Sequence, residues 1–318
     1  MQPDTSEYFR LYLNRQGGVD ESASEDAPYW EHFRIESGAE DELVERAKID
    51  APIAEYLLVD NARPRASAFE KGILVVLRGA NFNAGADPED MVSIRAWLEP
   101  GRLVTVSPRR VFTVEDIRGG LMRGAGPSSP SGVLVSLADG IVDRMVTVID
   151  DYEERTDALF AMTPEEREQS RTLQDDIVLL RSGAALLRRH LTPQRDAILQ
   201  LAREAKGAMF SEVETLELRE VADRTIRFVE ELDSVRERAT VLQDEIKFVA
   251  AERMNRNMYV LSIVAAIFLP LSLFTGLLGI NVGGIPGTES PDAFWIVTVG
   301  LLLLVPFEIW FLRRTGLI

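Results

Sequence analysis

The residues of this chain best placed to do chemistry lie near its C-terminal end and carry oxygen donors, not sulfur or imidazole. An apolar stretch closes on Gly279-Ile280-Asn281, where Asn281 offers an amide oxygen as a hard ligand for a hydrated cation. An Asn after a Gly serves equally as a plain helix C-cap. Ahead of it, Asn255, Ser262, Leu269, Ser272 and Gly276 follow one stripe at helical spacing, with Met258, Leu261 and Ala265 beside them. Small and weakly polar residues on one face suit a pore lining and helix–helix packing alike. Pro270 removes a backbone donor and frees the carbonyl near Ala266. Glu289 and Asp292 follow in a short loop, as acids that concentrate cations or simply keep the loop soluble.

Other chemistries lack their raw material. The absence of Cys excludes a disulfide framework, a zinc finger, an iron–sulfur cluster and a thiol nucleophile. Two histidines cannot furnish a His-rich zinc site. His190 follows Arg188-Arg189 and reads as the cationic end of a helix, and His32 as a structural residue. No Gly-rich phosphate loop, triad spacing or metal-hydrolase motif occurs, so neither an enzyme nor a bound cofactor is expected. With 35 Lys+Arg against 51 Asp+Glu the net charge is −16, which argues against a nucleic-acid partner. Residues 1–257 hold almost all of that excess, as an acidic surface that attracts cations or is merely solvated.

The elements that must position these residues are written in the distribution of charge. No Lys or Arg occurs from Asn257 to Leu312. Within that stretch Met258–Gly279 is 22 residues without a charge, and Phe294–Leu312 is 19 residues with one acid, Glu308. A spanning helix needs about 20 apolar residues, so both qualify. Arg253 and Arg256 flank the first span and Arg313 and Arg314 follow the second, which predicts both chain ends in the cytoplasm. The first ten residues contain no apolar run and do not read as a cleaved signal. Glu308 stands where it could snorkel to the interface or pair with Arg313, and a proton-relay role is the weaker reading.

The expected domains are a cytoplasmic α/β domain (1–162), a helical region with a long stalk (163–257), the first span (258–279), an outer loop (280–293), the second span (294–312) and a cytoplasmic tail (313–318). Strands are expected in YFRLYL and YWEHFRI near the start and at Gly72–Leu77, Met91–Leu98 and Arg102–Val106. Helices are expected over 40–59, Thr113–Met122 and Val133–Ala161, from a Thr163 capping box, and from Thr192-Pro193 to about Lys206. From Leu218 through Val221, Thr225, Phe228, Leu232, Val235, Ala239, Leu242 and Ile246 to Val249, apolar steps of three and four alternate without a slip. A sustained 3.5-residue repeat predicts a coiled-coil-like seam facing other helices or a central axis. One helix from about Ser211 to Gly279 would measure on the order of 100 Å. Two spans cannot enclose a hydrophilic path, so transport demands an oligomer. A membrane-anchored sensor or scaffold is the competing class.

The end of the first span with Gly279-Ile280-Asn281 resembles the Gly-x-Asn signature of the CorA superfamily of divalent-cation transporters. The loop Val282-Gly283-Gly284-Ile285-Pro286-Gly287 is similar to that of the ZntB zinc-transporter branch, and Ile280 stands where magnesium-transporting members usually carry Met. Arg63-Pro64-Arg65, Leu77 to Asn83 and Asp87-Pro88-Glu89-Asp90-Met91 also look ZntB-like. The resemblance implies a funnel-shaped homopentamer in the inner membrane. In it the first span would line a central pore, Gly279 and Asn281 would form the outer selectivity ring, and Met258 and Leu261 an apolar inner constriction. The stripe from Asn255 to Gly276 would line the path, and the seam the inner wall of the funnel. Zinc would be carried largely hydrated, because soft ligands are missing; magnesium, cobalt or nickel is the alternative cargo within the family.

Overall fold

The computed structural model describes residues 7–35, 40–59, 62–205, 209–280, 285, 287, 289–314 and 316. It forms two compact units, Met1–Leu242 and Gln243–Ile318. In chain order the elements are β1 (Glu7–Tyr12), β2 (Tyr29–Arg34), α1 (Glu40–Ala47), α2 (Ala51–Leu58), β3 (Arg65–Ala68), β4 (Ile73–Gly79), β5 (Val92–Glu99) and β6 (Arg102–Ser107). There follow α3 (Phe112–Met122), α4 (Pro130–Asp143), α5 (Met145–Ala161), α6 (Pro164–Gln169), α7 (Leu173–Glu204), α8 (Glu212–Leu278) and α9 (Ala293–Arg314).

The strands make one six-stranded sheet in the order β1-β2-β6-β5-β4-β3, with β2–β6 the parallel pair and every other pairing antiparallel. Strand alternation sends side chains to two cores. Leu74, Trp97, Val104, Val106 and Phe33 pack on one face with Leu43 and Leu57 of α1 and α2. Ile73, Val75, Leu77, Ile94 and Leu103 pack on the other with buried residues of α3, α4, α5, α7 and α8. The expected strands all form. β3 was not expected: Arg65-Ala66-Ser67-Ala68 has no β-branched residue and is an exposed or half-buried edge strand, so neither composition nor alternation marks it.

Three helical expectations need correction. The segment 40–59 is two helices, because Pro52 lacks an amide hydrogen and its ring opposes the carbonyl of Lys48; Lys48 closes α1 with φ 51°. Val133–Ala161 is divided at Arg144, a jog and not a break, since the Arg144 amide still bonds Gly140 O at 3.3 Å. Thr192-Pro193 opens no helix. Pro193 lies inside the 32-residue α7, and Ile177, Leu180, Ala184, Leu187 and Leu191 before it, with Ile198 and Leu201 after it, are all buried. Each fully buried Leu or Ile contributes about 1.5–3 kcal/mol, so this packing outweighs the ~3 kcal/mol that an interior proline costs. The Thr163 capping box forms as expected, with the Thr163 amide donating to Glu166 Oε2 at 2.8 Å.

α8 is one unbroken helix of 67 residues. It begins in a second capping box, the Ser211 amide donating to Glu214 Oε2 at 2.7 Å and the Glu214 amide to Ser211 Oγ at 3.2 Å. The seam residues from Leu218 to Leu242 are buried within the chain's own core, so the seam faces other helices, as expected, but helices of its own chain and not a central axis. The 3.5-residue repeat is satisfied by α8 packing onto its own domain. Arg224 reaches Asp139 (3.1 Å) and Asp143 (3.6 Å) of α4, Arg238 pairs with Asp157 of α5 (2.5 Å), and Asp233 takes Arg188 of α7 (2.6 Å). Such exposed pairs contribute ~0–1 kcal/mol each, so they fix register while burial supplies the energy. Past Leu242 the repeat is no longer covered: Ile246 is half-buried and Val249 exposed.

The edge of the sheet is closed by a side chain. β4 runs past the start of β3, and there the Arg78 amide donates to Gln194 Oε1 at 2.6 Å. Gln194 is fully buried on α7. Gln194→Ala should cost about 1–3 kcal/mol by leaving that amide unsatisfied, read as a lower thermal midpoint; an unchanged midpoint would mean water replaces the amide oxygen without loss.

Candidate functional site

The C-terminal half of α8 and the whole of α9 are long and apolar enough to cross a membrane, with mean hydropathies of 2.3 and 2.1 over their best windows. Pro270 sits inside α8 and Pro306 inside α9 without ending either helix. Along α8, Ile263, Ala266, Ile267, Pro270 and Leu271 form a half-buried stripe, and α9 carries its own in Val297, Leu301, Leu304, Glu308 and Leu312. At about 100° per residue, Met258, Leu269, Ser272 and Gly276 fall on the far side of α8, with Ser262 and Asn255 at its flank. They are exposed, as is Leu261 at their margin, while Ala265 is half-buried. The structure thus keeps the polar-spotted stripe together and leaves it uncovered by the rest of its unit. Ser262 Oγ donates to Met258 O at 2.8 Å, so its hydroxyl hydrogen is used within the helix and its lone pairs remain outward.

At the mouth, the Gly279 amide bonds Thr275 O at 2.9 Å and Gly276 O at 3.1 Å in a tightened last turn. A Cβ at position 279 would lie 3.1 Å from Thr275 O, so glycine suits this approach. Ile280 is half exposed. Asn281 lies outside the described residues, as do 282–284. Glu289 and Asp292 are exposed. Asp292 takes the N-cap position of α9, its carbonyl accepting from the Ile296 amide at 3.0 Å, where a carboxylate also favours the helix dipole. Among the described residues no group of three or more His, Asp or Glu could hold a metal ion.

Glu308 departs from expectation. Both carboxylate oxygens are buried and neither has a hydrogen-bond partner among the described residues, and no pair with Arg313 forms. Five residues separate the two, which turns them to different faces; helical neighbours meet at three or four. Arg314 instead stacks over the Trp310 ring, 5.4 Å from its centroid.

His32 is structural, as expected: it is buried with Nδ1 2.9 Å from Thr105 Oγ1, and burial ahead of the charges of Arg34 and Arg118 pushes its pKa down to about 3. His190 is not at a helix end but in the middle of α7. It lines a cavity of about 830 Å³ with Arg63, Arg78 and Arg189. Burial, then the charges of Arg78, Arg189 and Arg63, hold its pKa below the usual value. Sequence spacing could not show this gathering, because its members come from three distant segments.

A profile of the CorA-like Mg2+ transporter protein family matches residues 25–314. The chain belongs to the CorA-like family of divalent-cation transporters. That membership makes it a transporter and not an enzyme, and gives it the CorA-like fold of an α/β domain, a long helix and a C-terminal helix. The divalent cation transporter CmaX of Pseudomonas aeruginosa is 40% identical over 261 residues, covering 82% of this chain and 78% of its own. The zinc transport protein ZntB of Yersinia pestis is 32% identical over 313 residues, covering 96% and 94%. The solved structure of full-length CmaX superposes with a TM-score of 0.81 at 36% identity, covering 96% of each chain.

The orphaned carboxylate yields a test within this family. Glu308→Leu should stabilise the detergent-solubilised protein by roughly 1–3 kcal/mol, since it removes a buried polar group with no partner. A fall in thermal midpoint would show that the carboxylate is held by a group from another copy of the chain.

Proposed function

We propose that this chain transports zinc through the central pore of a homopentamer in the inner membrane, both termini being cytoplasmic. The observation that carries the reading is the polar-spotted stripe from Asn255 to Gly276, exposed except at Ala265, on the helix whose sequence leads into Gly279-Ile280-Asn281. Five copies of that stripe around one axis make a path of hydroxyls, amides and small side chains. Met258 and Leu261 give its inner end an apolar ring, which can gate by dewetting. Past Leu242 the uncovered part of α8 is available to neighbouring copies, whereas the seam above it is already occupied.

The donors favour a hydrated ion. Without a metal-holding cluster among the described residues, nothing strips the cation of its water. Recognition falls to Asn281, repeated five times, reading the hydration shell through hydrogen bonds and dipoles. Glu289 and Asp292 would surround the entrance with acids and raise the local cation concentration. Zinc is supported by the Ile280 variant of the signature and by relatives such as the Yersinia pestis protein, which is named for zinc. A less selective divalent-cation pathway is the second reading, because the 40% identical relative is named for divalent cations at large.

Flux measured in proteoliposomes with zinc and with magnesium, under imposed pH gradients, separates the two. Asn281→Ala should reduce zinc flux nearly to background while a pentameric mass is retained, because helix packing is untouched. Wild-type flux in that variant, or a wild-type protein that is stably monomeric or dimeric by mass, would overturn the pore reading.

A further inference from the structure

The cavity around His190 joins parts of the chain far apart in sequence. Arg63 precedes β3, Arg78 stands on β4, Asp87, Glu89, Asp90 and Met91 form the β4–β5 connection, and Arg189 and His190 come from α7. In a chain of net charge −16, four arginines, Arg155 of α5 being the fourth, and His190 thus meet in one concavity of about 830 Å³. Among the described residues Arg63 and Arg189 have no ion pair or side-chain hydrogen bond. Arg78 is 9% exposed, and its guanidinium is held by one neutral contact, Nε donating to Ala62 O at 3.2 Å. Of the three acids that line it, Asp87, Glu89 and Asp90, two are already engaged: Asp90 by Arg109 at 3.1 Å, Glu89 by the Tyr152 hydroxyl. The α5–α7 approach that permits this last bond requires Gly183, where a Cβ would lie 1.8 Å from Tyr152 Oη. Burial, then the Arg189 charge, push the Arg78 pKa down, and the charge of Asp90 offsets this only in part. Exposed apolar surface from Leu179 and Leu186 continues the wall.

We infer that this cavity is a binding site for a phosphorylated small molecule, with Arg63, Arg78 and Arg189 gripping the phosphate and Leu179 and Leu186 meeting the organic part. Guanidiniums match phosphate oxygens by paired, charge-assisted hydrogen bonds. A bare metal cation is disfavoured by the same charges. The site goes beyond the transport reading and does not depend on the identity of the transported ion.

Calorimetric titration of the full-length, detergent-solubilised protein at about 0.15 M salt, where exposed charges are screened beyond ~8 Å, tests it with pyrophosphate, ATP and adenosine. Pyrophosphate and ATP should bind, ATP more tightly, and adenosine should not. Arg63→Ala and Arg189→Ala should each weaken pyrophosphate binding at least about tenfold, ~1.4 kcal/mol. Their ligand-free thermal midpoints should be unchanged or higher, because a crowded cation is relieved. Adenosine binding as well as ATP, no binding by either phosphate compound, or wild-type affinity in both variants would each overturn the assignment. So would a loss of affinity accompanied by a lower ligand-free midpoint in both, which marks the arginines as structural.

Discussion

One backbone in α8 has to be stable in two solvents. From Glu212 to Leu242 its apolar residues are set 3.5 apart and buried under a protein core. From Met258 onward the side chains are apolar nearly all round, and the backbone pairs within the helix except where Pro270 lacks an amide. The absence of Lys and Arg from Asn257 to Leu312 follows from the second requirement, and the salt bridges of Arg224, Asp233 and Arg238 to three other helices serve the first. Everything else in the molecule is attached to this rod or shaped by it: the sheet is covered by helices that α8 closes, and the polar-spotted stripe exists because α8 continues without a break.

Much of this was legible in the residues. Length without Lys or Arg marks both apolar helices, Ser211 and Thr163 begin helices through capping boxes, and β-branched runs mark β4, β5 and β6. The failures have local causes. Pro193 announces a helix start by every sequence rule, yet the buried stripe on either side of it carries α7 through. β3 has the composition of a loop and is a strand because β4 offers it an edge. The seam is the most instructive case, since a 3.5-residue repeat states only that one face of a helix is covered. It does not state whether the cover is a second copy or the rest of the same chain.

The candidate sites differ in the same way. The stripe on α8 was readable because its members share one helix, and helical spacing alone places them on a common face. The arginine-lined cavity was not, because Arg63, Arg78 and Arg189 are brought together by the sheet edge and by Gln194 holding α7 against β4. His190 illustrates the limit: beside two arginines in sequence it suggests a helix terminus, whereas in the fold it stands among several arginines around a shared space. Glu308 had been assigned a partner by proximity in sequence, but a five-residue separation turns the two side chains apart.

The burial of α8 down to Leu242 by the chain's own helices bears on biogenesis. During synthesis every residue that contributes to the two cores emerges before Met258, the first residue of the charge-free stretch. The N-terminal unit can therefore complete its fold without waiting for either apolar helix. Membrane insertion then handles two apolar segments that follow a finished domain.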